Sequence, residues 1–193
     1  MDAGTELIWQ KGYNAVTVDA ICDRAGVKKG SFYYFFESKA ALAIASMENY
    51  WQTQTRPRLD AAFSASLPPL ERLRAFFEKM YQGQRDMIKT RGNILGCPYF
   101  SLGMEGGGLD AEVWHASQGY VKRKMRYIEA TIRDAEAEGS IRIASVEEAT
   151  QALQTLAEGA LARARVQNDP EPLRGLYGQA LRLLGAEQPT VEA

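Results

Sequence analysis

A chain of 193 residues in which 23 basic side chains face 24 acidic ones has a formal charge of −1. No whole-molecule field draws it to nucleic acid, so any DNA binding must come from a local patch. It has no apolar run long enough to cross a bilayer and no charged start leading into an apolar core, which predicts a cytoplasmic protein with no membrane contact.

The first eleven residues read as a helix with Leu7 and Ile8 facing inward, ended by Gly12. Thr17 is placed to cap a second helix whose apolar positions are Val18, Ile21, Cys22 and Ala25, with Asp19 in the first turn, where the dipole favours an acid. Gly26 stops it, and a turn of three or four residues leads into a third helix opening near Lys28. Phe32, Phe35 and Phe36 are expected to form that helix's core face, while Lys28, Lys29, Ser31, Tyr33 and Tyr34 leave hydrogen-bonding groups outside it. Ser38 caps a fourth helix from Lys39. Two short helices joined by a tight turn, the second carrying exposed cations and phenols, are the pattern of a helix-turn-helix whose second helix enters a major groove. From Arg24 to Lys39 the basic residues Arg24, Lys28, Lys29 and Lys39 face a single acid, Glu37. The candidate DNA contacts are Thr17, Lys28, Lys29, Gly30, Ser31, Tyr33, Tyr34 and Lys39.

The run AGVKKGSFYYFFESKAAL, residues 25–42, resembles the second and third helices of the TetR family of bacterial transcription regulators, as does GYNAVTVDAI at 12–21. Lys28 stands where the family has serine or threonine, and Ala40 where it has an acid. The resemblance implies an all-α fold of about nine helices, with a DNA-binding domain at 1–45 and an effector-binding and dimerisation domain at 46–193. It also implies a homodimeric repressor on a near-palindromic operator, released by a small molecule. Set against the family, Met1 falls inside the first helix.

Downstream, Leu42, Ile44, Ala45, Met47 and Trp51 belong to a long helix that Pro57 should kink or end; the resemblance makes it the transmitter between the domains. Residues 66–69 break the chain, and Leu70, Leu73, Phe77, Met80, Gln84 and Met87 then share one face of a helix reaching Thr90. Residues 91–108 are irregular, with a short helix over 98–103 and a loop at Gly106 to Gly108 that lacks the Gly-Lys-Ser/Thr of a phosphate-binding loop. A long helix over 109–138 carries Val113, Tyr120, Val121, Met125, Ile128, Ile132 and Ala135 inward, and Lys122, Arg123, Lys124 and Arg126 on a solvated face. Ser145 caps a helix over 146–166 with a stripe of small residues, and a last helix holds Leu173, Leu176, Tyr177, Ala180, Leu181 and Leu184 before a frayed tail from Gln188.

In the family the last two helices pair with their copies, which nominates Leu153, Leu156, Ala160, Leu173, Leu176 and Leu181 for the dimer interface. Phe76, Met80, Tyr81, Phe100, Met104 and Trp114 are the soft apolar candidates for an effector cavity. Cys97 reads either as a buried small hydrophobe or as an electrophile sensor like those of some relatives. Neither cysteine has a metal-ligand or disulfide spacing, and His115 has no nucleophile beside it, so no metal, cofactor or enzyme activity is expected. A DNA-free helical interaction module is the alternative outside this class.

Overall fold

The computed structural model describes residues 2–106 and 110–186, which form helices and turns with no strand among them. Gly107, Gly108 and Leu109 of the expected glycine loop and long helix, Met1, and the tail from residue 187 lie outside the described residues. Four short helices come first: α1 (Asp2–Lys11), α2 (Val18–Ala25), α3 (Lys29–Phe35) and α4 (Lys39–Tyr50). The caps are the expected ones. Thr17 Oγ1 accepts from Ala20 N–H at 3.1 Å, and Ser38 Oγ accepts from Ala41 N–H at 3.0 Å. Gly26 closes α2 in the left-handed region at φ 65°.

Pro57 does not end the fourth helix. A π turn over Trp51–Thr55, in which Arg56 N–H reaches Trp51 C=O, takes up the register change, and the helix continues as α5 (Arg56–Ala62). There follow α6 (Pro69–Arg91), α7 (Pro98–Gly106), α8 (Ala111–Ala137), α9 (Val146–Gln167), a 3₁₀ turn at Glu171–Leu173, and α10 (Leu176–Leu183). α7 is longer than the expected 98–103 helix, and α10 is shorter than expected because the chain from Pro170 first makes the 3₁₀ turn.

The described contacts form two compact units. One compact unit holds Met1–Pro57 with Cys97–Lys122, the other Arg58–Gly96 with Arg123–Ala193. In the first, α1 packs on α2, α4 and α7, and an aromatic cluster forms around the π turn. The Tyr99 and Tyr120 rings stack at 4.9 Å with Trp51 beside both, Tyr120 Oη donates to Glu48 Oε2 at 2.6 Å, and the Thr55 and Tyr99 hydroxyls are 2.8 Å apart. In the second unit α10 lies on α6 and α9, over a core that includes Leu73, Ile132, Leu153, Leu173, Leu176 and Leu184, each contributing about 1.5–3 kcal/mol by burial. Asn168 ends α9 in the left-handed region, accepts from Ile94 N–H at 2.9 Å and donates to Gly92 C=O at 3.1 Å, which holds the 92–94 loop to that helix end.

Two expectations about helix faces need correction. Phe35 is 73 % exposed, not core; only Phe32 is buried, with Phe36 half-buried against its ring at 5.8 Å. At 100° per residue Phe36 returns close to Phe32, whereas Phe35 falls to the other flank. Lys124 is not on a solvated face: it is buried and forms an ion pair with buried Glu158 of α9. It stands four residues from both Tyr120 and Ile128, so it lies on the inward stripe of α8. Lys124→Ala strands the Glu158 carboxylate and is expected to lower stability in urea unfolding by about 3–5 kcal/mol. The Lys124→Met, Glu158→Leu double variant is expected to hold or raise the midpoint.

Candidate nucleic-acid interface

α2 and α3 set the interface. α2 is anchored by Ile21 and Cys22 and α3 by Phe32, each buried, so the remaining side chains of α3 face outward. Lys28 is the N-cap residue of α3 and makes no side-chain cap bond, as its replacement of a capping hydroxyl implies. Lys28, Lys29, Gly30, Ser31, Tyr33 and Tyr34 are all exposed. Tyr34 reaches 83 % and packs edge-on with Phe35 at 5.0 Å. Phe35, apolar and so expected in the core, thus joins the outer surface of the helix. A Cβ on Gly30 would meet nothing within 4 Å, so nothing in the chain itself requires glycine there.

The cations differ in what they already hold. Lys29 pairs with Asp19 at 2.8 Å, an exposed contact that a phosphate can replace. Thr17 offers only its hydroxyl hydrogen, since the oxygen caps α2. Lys39 is held from within the chain. Its Nζ donates to the carbonyls of Tyr13 at 2.8 Å and Val16 at 2.9 Å and sits 4.1 Å from the Tyr13 ring centroid. Burial pushes its pKa down.

The same link between α1 and α2 is tied to α7 and to the start of α8. Tyr13 Oη donates to Asp110 Oδ2 at 2.7 Å, Asn14 N–H to Glu105 Oε2 at 3.3 Å, and Asn14 Nδ2 to Glu105 C=O at 3.0 Å. Burial, then the Asp110 hydrogen bond, raises the Tyr13 pKa. Gly12 stands at φ 92°, where a side chain is strained, and a Cβ there would also displace the Glu105 carboxylate, whose nearer oxygen would lie 2.6 Å away. These partners are up to 97 residues apart, and no local pattern announces them.

The remaining candidates separate. Phe76, Met80 and Tyr81 lie on α6 in the second unit, where Tyr81 Oη donates to Glu171 at 3.2 Å and accepts from Arg174 at 2.9 Å. Cys97, Phe100, Met104 and Trp114 belong to the first unit; Cys97 and Phe100 are half-buried, while Met104 and Trp114 are exposed. Of the nominated dimer residues, Leu153, Leu173, Leu176 and Leu181 are buried within the chain. They form the contact of α9, the 3₁₀ turn and α10 with one another. Leu156 and Ala160 are half-buried, and Val166 and Leu183 are the exposed large apolar residues of α9 and α10.

Lys39→Met takes the ammonium from the Val16 carbonyl and leaves the Tyr13 carbonyl only the 3.4 Å bond from Val16 N–H, and is expected to lower stability by about 1–3 kcal/mol. Lys29→Met is expected to leave the urea midpoint unchanged and to weaken DNA binding instead. Unfolding and DNA titration of both variants separate the two roles.

The family model described as "Bacterial regulatory proteins, tetR family" matches residues 1–45, and "Tetracyclin repressor-like, C-terminal domain" matches 69–179. The transcriptional regulator AcuR of Cereibacter sphaeroides is 36% identical over 173 residues, 89% of this chain and 77% of that protein. The HTH-type transcriptional repressor NemR of Escherichia coli is 28% identical over 102 residues, 53% of this chain and 49% of that one. Among solved structures, regulatory protein TetR from Rhodobacter sphaeroides aligns with a TM-score of 0.80 at 34% identity, covering 94% of this chain and 95% of that one. E. coli NemR in its reduced form aligns with a TM-score of 0.78 at 19% identity, over 98% and 96% of the two chains, a likeness of fold. With an exposed reading helix, a capped helix-turn-helix and matches over both parts of its length, the chain belongs to the TetR family of transcriptional regulators.

Proposed function

We propose that this chain is a repressor that holds a near-palindromic operator as a two-fold homodimer and releases it when a small-molecule effector binds. The observation that supports this best is α3. Its cations, hydroxyl and phenols are exposed, and its glycine serves no contact within the chain. Two copies related by a two-fold axis would enter successive major grooves, about 34–36 Å apart. Lys28 and Lys29 would neutralise phosphates, Ser31 and Tyr33 would donate to phosphate or base edges, and Gly30 would let the backbone approach the DNA. The helical run 39–62 leaves the first unit at Pro57 and is the natural carrier of an effector's influence. A coupling of about 1–3 kcal/mol would change operator affinity by roughly 5- to 150-fold.

Gly30→Ala separates folding from binding. Alanine is the better helix former, so stability is expected to hold or rise, while operator affinity falls because the added methyl meets the DNA. In salt-dependent titrations on the DNA flanking its own gene, Lys29→Ala is expected to shallow the log–log slope by about one. An operator footprint absent in the parent protein would favour the interaction-module reading.

For the dimer, α9 and α10 stay in place with a different contact set: Val166 and Leu183, flanked by Leu156 and Ala160. Val166→Glu is expected to yield monomers in sedimentation with the fold intact, whereas Leu153→Ala should act on stability by about 2–5 kcal/mol. Cys97, half-buried immediately before α7, supports a second reading in which release follows covalent modification of its thiol. Retained release in Cys97→Ser would exclude it.

A further inference from the structure

Phe35 is the wholly apolar side chain that α3 leaves in water: it is 73 % exposed, while Phe32 is buried and Phe36 half-buried. Its ring meets that of Tyr34 edge-on at 5.0 Å, a contact inside the same helix that orients the ring without covering it. Phe35 stands one turn on from Ser31, and Tyr34 one turn on from Gly30, and helical side chains lean toward the N-terminus. Both rings are therefore set over the first turn of α3, beside the exposed cations Lys28 and Lys29. Gly30 adds no side chain beneath them, and Ser31 is itself exposed.

The two lysines make DNA, rather than an apolar protein surface, the occupant that suits this face. On DNA the ring has a narrow choice. It carries no donor and no acceptor, so it holds neither a phosphate oxygen nor a polar base edge. The apolar group that marks one base in the major groove is the 5-methyl of thymine. We infer that Phe35 is a specificity-determining residue: its ring packs against the methyl group of a thymine in each operator half-site and so favours thymine at that position. The inference rests on the regulator reading above and adds to it a base chosen by apolar contact. Lys28 and Lys29, at phosphates, hold the register and select no sequence.

The test uses the full chain and the duplex that it retains from random-sequence DNA. Each thymine of that duplex is replaced in turn by deoxyuridine, which keeps the base pair and removes the methyl, and affinity is titrated for the parent, Phe35→Ala and Phe35→Leu. At one thymine of each half-site, deoxyuridine is expected to weaken the parent about fourfold, the worth of one buried methyl-sized group. At that thymine Phe35→Ala should no longer distinguish the two bases, and Phe35→Leu, still apolar, should keep part of the preference. Because thymine and deoxyuridine are compared within one protein, any loss of folded material in a variant cancels. A duplex whose thymines all tolerate deoxyuridine overturns the inference. So does a Phe35→Ala variant that weakens every duplex equally, which assigns the ring to sugar and phosphate, or one with unchanged affinity, which leaves it to a partner other than DNA. Selection that retains no duplex overturns the regulator reading, and this inference with it.

Discussion

The ammonium of Lys39 is the contact on which the DNA-binding unit turns. It stands in the first turn of α4, bridges the carbonyls of Tyr13 and Val16, and lies over the Tyr13 ring. The segment between α1 and α2 has no secondary structure of its own to satisfy its backbone, so a charged donor from α4 meets that requirement. The Tyr13 hydroxyl continues the chain of contacts to Asp110, whose other oxygen lies 3.4 Å from the N–H of Val113 at the start of α8. One side chain thus couples the entrance of the helix-turn-helix to the helix that follows it and, through Tyr13, to the start of α8.

With that link held, α3 is left almost bare. It is seven residues long and spends one aromatic, Phe32, on anchorage. A helix that short has little stability of its own, so its persistence depends on α2 and on the ring contacts of Phe32 with Tyr33 and Phe36. The arrangement leaves the cations and Tyr34 outside, while Tyr33 keeps its ring edge-on to Phe32 and its hydroxyl on the exposed side. Lys29 and Lys39 show the division: one holds an exposed and replaceable acid, the other holds backbone.

The second unit follows a different rule. Its leucines on α9, the 3₁₀ turn and α10 are consumed in packing those elements together, and the Lys124–Glu158 pair bridges α8 and α9 in the same interior. A paired charge there adds little stability over an apolar equivalent, yet removing one partner is severe, because the other remains buried. The outer surface of α9 and α10 keeps Val166 and Leu183 as its exposed large apolar residues.

The helices, their caps and the head's pattern follow from residue order over short windows. Thr17, Ser38 and Ser145 cap where their side chains compete best for free N–H groups, and Gly26 accepts the left-handed turn. These are interactions over three or four residues, so they are legible in a window of that length. The outward set on α3 was legible for the same reason, except Phe35, where apolar chemistry suggested burial and helical angle decided otherwise. Which of several apolar or charged residues found partners far along the chain was settled by packing. Lys39 reached Tyr13 and Val16, Asn14 reached Glu105, and Lys124 reached Glu158. Those outcomes depend on which helix faces meet, a property of the assembled packing that no local spacing encodes.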